Sequence, residues 1–224
     1  MVRGGGCCGC LKGADDRRAE GRGAADAGYN YFDMIKIIAY DPSWPAGFAA
    51  IGKQLREALG QRALYIHHIG STSVPGLEAK DVIDVQITVA GLDTPIQEDL
   101  EKAGFILTAL TNDHRPPGMD ALDEEELAKR LYWKAAAVPG RKAHVHIRVE
   151  GKFNQRYPLL CRDYLRARPM VARAYGEIKR QLAFYFPDNV EAYYAIKDPV
   201  FDVFMAGAYE WAENTHWHPG DSDA

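Results

Sequence analysis

No apolar run in this chain of 224 residues approaches the roughly 20 needed to cross a bilayer. The start also lacks the apolar core of a signal peptide. No membrane partner is therefore expected, and a cytoplasmic location is. Cations do not dominate either: 27 Lys and Arg stand against 31 Asp and Glu, for a net charge of −4, which argues against a nucleic-acid partner recognised by a global basic field. A small anion remains open as a ligand, since it needs only two or three well-placed cations. Neither G-x-G-x-x-G nor the P-loop pattern occurs, which argues against a Rossmann or Walker nucleotide site. Cysteine is scarce as well. Cys7, Cys8 and Cys10 crowd into GGGCCGC and Cys161 stands alone, so no set of thiols is spaced to close a zinc tetrahedron. Cys161 reads as a small core residue, and reversible acylation is an alternative role for the other three.

What is present reads as one domain with short appendages. Residues 1–33, rich in Gly, Ala, Arg and Asp without periodicity, are expected to be a disordered leader; residues 34–219 form the folded domain, and 220–224 are a disordered tail. IKIIAY from Ile35 suggests a strand. Phe48, Ile51, Leu55 and Leu59 recur at helical spacing up to Gly60. ALYIHHI (63–69) and DVIDVQITV (81–89) read as strands, Thr94–Ala103 as a helix with Pro95 in its first turn, and FILTAL (105–110) as a strand. NDHRPPGMD (112–120) is a loop because two prolines and a glycine fall together, and 131–149 is a hairpin turning at Pro139-Gly140. Everything after Asn154 looks helical, in three segments separated by Pro169 and Pro187-Asp188. Strands mixed with helices, followed by an all-helical C-terminal third, indicate an α+β fold and argue against a doubly wound one.

Chemistry concentrates in HHIGSTSVPGLEAKDVIDVQITV, from His67 to Val89. Alternation puts Ile83, Val85, Ile87 and Val89 on one strand face and Asp84, Gln86 and Thr88 on the other. A carboxylate among apolar residues needs a cation, a metal or hydrogen-bond donors to offset its burial. Asp84 therefore either lines a cleft or does no more than cap a turn or pair with Lys80. Upstream, Gly70 permits close backbone approach, and Ser71, Thr72 and Ser73 offer hydroxyls and successive N–H groups of the kind that cradle phosphate. In AHVHIRV, His144, His146 and Arg148 share one face. They suit an anion pocket or, with a further ligand, a metal. Lys134 on the partner strand is a candidate addition to that field. Of the charged and tyrosine residues in the C-terminal helices, among them Tyr175, Lys179, Tyr194 and Lys197, one or two are candidates to reach the cleft.

These residues resemble a known family. His68, Gly70, Ser71, Thr72, Val74, Pro75, Gly76, Leu77, Lys80, Ile83 and Asp84 match the signature of the GrpB family, and AHVHIRV, NQRYPLLCRDYLRARP, AYYAIKDP and EWAENTHWHP resemble the C-terminal domain of some actinobacterial dephospho-CoA kinases. The resemblance implies a nucleotidyltransferase-like mixed β-sheet flanked by helices, acting on a nucleotide or other phosphate-bearing small molecule. It implies phosphate binding by the turn of Gly70 and Ser71 and a first carboxylate at Asp84; the turn and strand faces read above add Thr72, Lys80 and Arg148 as phosphate contacts, His146 as a catalytic partner of Asp84, and His68, Gln86, Lys134 and His144 as further pocket residues. It also implies Mg²⁺ on Asp84, since such enzymes template in-line attack with metal-bound carboxylates. The second carboxylate of that pattern falls at Gln86, a neutral amide, and the third falls near His144 or His146. No kinase half is expected, because the P-loop is missing and the segment before Ile35 is too short to hold one. The alternatives to a transferase are a non-catalytic module that binds a nucleotide or a CoA-like anion, and a partner domain like the one fused to those kinases.

Overall fold

The computed structural model describes residues 34–224; the expected leader, with its three cysteines, lies outside the described residues. Helix α1 (Trp44–Leu59) begins with Pro45 in its first turn, where the missing N–H has no intrahelical partner to lose, and stops at Gly60 with φ +57°. Strand β1 (Tyr65–Ile69), a one-turn 3₁₀ segment (Ser71–Ser73) and strand β2 (Val82–Val89) follow. Helix α2 (Gln97–Lys102), strand β3 (Ile106–Leu107) and the hairpin of β4 (Arg130–Val138) and β5 (Arg141–Val149) complete the sheet. Helices α3 (Phe153–Ala167), α4 (Pro169–Tyr185) and α5 (Val190–Thr215) form the C-terminal third. None of the helices among the described residues is long and apolar enough to cross a membrane.

The five strands run in the order β1-β2-β5-β4-β3. β2 and β5 are parallel while every other pair is antiparallel, so the sheet is mixed, as the α+β expectation requires. One face carries Ile66, Ile83, Val85, Ile87, Val89, Tyr132, Ala143, Val145 and Ile147 and packs under α1 through Trp44, Phe48, Ile51, Leu55 and Leu59. Each such fully buried side chain contributes about 1.5–3 kcal/mol, so this face anchors the fold. A second apolar cluster, built on Leu77, Leu160, Leu165, Tyr175 and Met205, ties α3, α4 and α5 to the segment after β1. The sheet's other face is polar and lies between these two cores.

Three expectations change. FILTAL (105–110), expected as a strand, pairs with β4 only over Ile106–Leu107. IKIIAY does not form a strand; Ile38 alone bridges Ala79, and the Ile35 N–H donates instead to Pro187 O at 2.6 Å, so the stretch makes no continuous ladder. Residues 220–224, expected as a free tail, dock along the edge strand β1. The Asp223 N–H donates to Ile66 O at 2.9 Å, and the Asp223 carboxylate accepts from the His68 N–H and from Arg162 Nη1, each at 2.9 Å. A five-residue polar segment has no apolar signal to announce such docking; only the edge of β1 and the buried Arg162 explain it. Asp223→Ala should lower stability by about 1–3 kcal/mol, since a buried cation and an N–H lose their acceptor. A urea titration reads this as a lower midpoint at unchanged slope. An unchanged midpoint would show that the tail adds nothing to the fold.

Candidate functional site

The parallel pairing of β2 with β5 sets Asp84 beside His144, Gln86 beside His146 and Thr88 beside Arg148. Alternation then puts all six side chains on the polar face, as the two strands' patterns predict. His144 Nδ1 lies 3.4 Å and His146 Nε2 3.8 Å from Asp84 Oδ1. Burial alone would raise the Asp84 carboxyl; the two imidazoles outweigh it and hold the carboxyl well below the usual range, so Asp84 is ionised. Its side chain keeps 28 % exposure against 10 % for His144 and 16 % for His146, so solvent meets the polar face at Asp84.

Further along the polar face the charges are already satisfied. Arg148 Nη1 donates to Gln86 Oε1 at 2.7 Å, while Nε and Nη2 grip Asp113 at 2.8 and 3.0 Å. Asp113 also accepts from Lys129 Nζ at 2.6 Å and from Asn154 Nδ2 at 3.2 Å. Arg148 Nη2 further lies 3.3 Å from His146 Nδ1. A guanidinium only donates, so Nδ1 is the acceptor and the ring proton sits on Nε2, facing Asp84. Burial, followed by the Arg148 charge, lowers the His146 pKa to about 4, which keeps the ring neutral at pH 7.

The turn after β1 closes the other wall. Gly70 has φ +71°, and a Cβ placed there would fall 2.4 Å from Asp84 Oδ2. Only glycine lets the Ser71–Ser73 turn lie against the carboxylate. The Ser71 hydroxyl accepts from Lys179 Nζ at 2.8 Å, and Arg166 braces the turn by donating to Ser73 O at 2.8 and 3.0 Å. Lys80 donates to the Tyr194 hydroxyl and lies 4.6 Å above that ring's centre; Lys197 lies 5.1 Å from the same ring.

The structure therefore brings Gly70, Ser71, Lys80, Asp84, His144 and His146 together and moves others away. Lys134 points to the α1 face, where Nζ donates to Ala103 O at 2.7 Å, because its register partner is Ala143. His68 also faces α1, stacked on Phe48 at 4.7 Å and bonded to the Thr72 hydroxyl at 3.0 Å. Burial lowers its pKa to about 4. The Thr72 hydroxyl is thus turned inward, and Arg148 and Gln86 are held by the Asp113 network, away from a ligand. Sequence reasoning missed Asp113, Lys129 and Asn154. A buried Arg148 demands a carboxylate, but nothing in a proline-rich loop marks Asp113 as the one.

The donor set does not suit a two-ion Mg²⁺ centre. Mg²⁺ favours oxygen ligands in a near-octahedral shell. Asp84 is flanked by imidazole nitrogens, the Gln86 oxygen is taken by Arg148, and Asp113 is neutralised by two cations. Among the described residues no group of three His, Cys, Asp or Glu is placed to hold a metal ion.

A family model described as "GrpB protein" matches residues 34–206. The chain is 36% identical over 197 residues to the "Dephospho-CoA kinase" of Mycolicibacterium paratuberculosis, a match covering 83% of this chain and 48% of that protein. The chain thus spans about half the length of the first curated relatives it matches. It is 31% identical over 176 residues to "UPF0157 protein BH1888" of Halalkalibacterium halodurans, covering 78% of this chain and 82% of that one. The crystal structure of the conserved protein GrpB from Enterococcus faecalis superposes with a TM-score of 0.60 at 28% identity, covering 82% of this chain and 100% of that one. Family model, relatives and solved structure agree with the motifs from His68 to Asp84 on one conclusion: the chain belongs to the GrpB family.

Proposed function

We propose that this chain binds a nucleotide or another phosphate-bearing small molecule at the turn of Gly70 and Ser71, and transfers a nucleotidyl or phosphoryl group at Asp84. The observation that carries this reading is the contact of the glycine turn with an ionised carboxylate where solvent meets the polar face. A hydroxyl turn supplies donors for phosphate oxygens, and an adjacent carboxylate can accept the hydrogen bond of an attacking hydroxyl. The acceptor oxygen would bond to phosphorus as the bond to the leaving phosphate breaks, and its proton would leave to water beside Asp84. Positioning and charge stabilisation provide most of the catalysis in such transfers.

A second reading, a module that binds the same ligand without chemistry, is favoured by Gln86, which stands where a second carboxylate would. The dephospho-CoA kinase relatives add dephospho-CoA and CoA to the ligands worth testing. The first experiment is thermal unfolding with nucleoside triphosphates, dephospho-CoA and CoA. A ligand at about 100 times its Kd should add about 2.7 kcal/mol, or about 5–10 °C for a chain of this size. Turnover lost in Asp84→Asn would establish the transferase; a shift without turnover would establish the module. Wild-type protein that none of these ligands shifts would sink both.

A further inference from the structure

Three lysines from three different elements converge on the outer side of the Ser71 turn. Lys179 comes from α4, Lys197 from α5, and Lys80 from the segment leading into β2. Lys179 Nζ touches the Ser71 hydroxyl and lies 4.5 Å above the Tyr175 ring. Lys197 Nζ lies 4.6 Å above Phe201, and Lys80 and Lys197 share the Tyr194 ring. Lys179 is only 3 % exposed. Folding has thus drawn like charges together in a low-dielectric wall lined by aromatic rings, where each opposes the others.

We propose that Lys80, Lys179 and Lys197 form an oxyanion site that receives a phosphate group of the ligand and neutralises it without a divalent metal. This rests on the phosphate-ligand reading above and adds to it the groups that balance the charge. The misfit between the donor set and Mg²⁺ points the same way: the carboxylates such ions would need are replaced by imidazoles or held by Arg148 and Lys129, while Lys179 touches Ser71 and Lys80 and Lys197 gather at the Tyr194 ring.

The charge surroundings are consistent with an anion site. Around Lys179 stand Lys80 and Lys197, the carboxylate and carbonyl of Glu78, Ser71, Tyr175 and the buried Cys161. Around Lys80 stand Lys197, Lys142, Asp84, Asp198, Tyr193 and Tyr194. Asp198 pairs with Lys197 at 2.8 Å from a side chain that is 40% exposed, and Glu78 leans towards Arg180 at 3.7 Å. Burial, and after it the charge of Lys197, lowers both Lys80 and Lys179 to about 7. A bound phosphate would raise both again. Binding therefore takes up protons above about pH 7, and affinity falls as pH rises through that range. A metal-mediated site has no need of that trend.

The test uses the full chain and inorganic pyrophosphate, by calorimetry in EDTA and again in excess Mg²⁺. Binding should persist in EDTA. Lys197→Met and Lys179→Met should each weaken it tenfold or more, while Lys53→Met, on the exposed face of α1, leaves it unchanged. Lys197 is the less buried of the two, so its variant keeps the test open should Lys179→Met fail to fold. Asp84→Asn should preserve or tighten pyrophosphate binding, because it removes a negative charge near an anion. Binding that needs Mg²⁺ and vanishes in Asp84→Asn would overturn the lysine site and leave the phosphate pocket standing. Binding unchanged in both lysine variants would also overturn it. Wild-type protein that binds neither pyrophosphate nor any nucleotide would overturn the pocket itself.

Discussion

Asp113→Ala should be the most damaging single substitution on the polar face, with a loss of about 3–5 kcal/mol. The carboxylate accepts from Arg148 through two nitrogens, from Lys129 and from Asn154. Arg148 and Lys129 side chains are only 5% and 8% exposed, so removing Asp113 strips two buried cations of the carboxylate they share. The melting temperature should fall by about 6–20 °C. Asp113→Ala combined with Lys129→Met should recover part of the loss, because one stranded charge is gone; this double variant separates charge from packing. A loss below about 1 kcal/mol would mean that the network is wet and weak.

The same group sets an acid limit. Burial would raise the Asp113 carboxyl, but Arg148 and Lys129 outweigh it and hold it far below its usual value. A carboxylate lowered in the folded state contributes stability above its unfolded pKa, near 4, and that contribution is lost as pH falls through the folded value. Wild-type stability should therefore drop progressively below about pH 4, and Asp113→Asn should flatten that part of the profile. A profile as steep in the variant as in the wild type would assign the acid sensitivity to other carboxylates.

Gly70→Ala should remove ligand binding at modest expense to the fold. The new Cβ would sit 2.4 Å from Asp84 Oδ2 and 3.0 Å from Asp84 Cβ and Cγ, so Asp84 or the turn has to move. The φ of +71° with ψ of −176° adds about 1–3 kcal/mol of strain for any residue with a Cβ. Gly76→Ala is the matched control, since its φ is +78° but nothing lies within 4 Å. Both should lose stability from backbone strain, Gly70→Ala the more, since its ψ of −176° lies where essentially only glycine settles. Only Gly70→Ala should also weaken phosphate-ligand binding, by tenfold or more, in the calorimetric titration. Equal binding in the two variants would separate the turn from the site.

The polar face of β2 and β5 is legible in alternation alone. The period of two places Asp84 and Gln86 on one face and His144, His146 and Arg148 on another, and the parallel register joins those faces. Alternation could not place Lys134, because its facing depends on the hairpin register, and a one-residue difference sends a side chain to the opposite face. His68 failed for a related reason: it shares parity with Ile66, so it belongs to the α1 face despite its place in the signature. The lysines on α4 and α5 are visible as residues, but their convergence follows from helix packing, which no local pattern encodes. Asp113 is the extreme case, an acid in an irregular loop whose role exists only once Arg148 is buried beside it.

The parallel pairing of β2 and β5 also bears on how the protein comes to fold. Asp84 and His144 are neighbours in space but sixty positions apart in the chain, and α2, β3 and β4 intervene. Such contacts are formed only after the entropy of closing a long loop has been overcome, so folding dominated by them is slow. Neither Asp84 nor the two imidazoles can assemble the site from a fragment. The contact of Asp84 with His144 during refolding should therefore report on completion of the central strand pair.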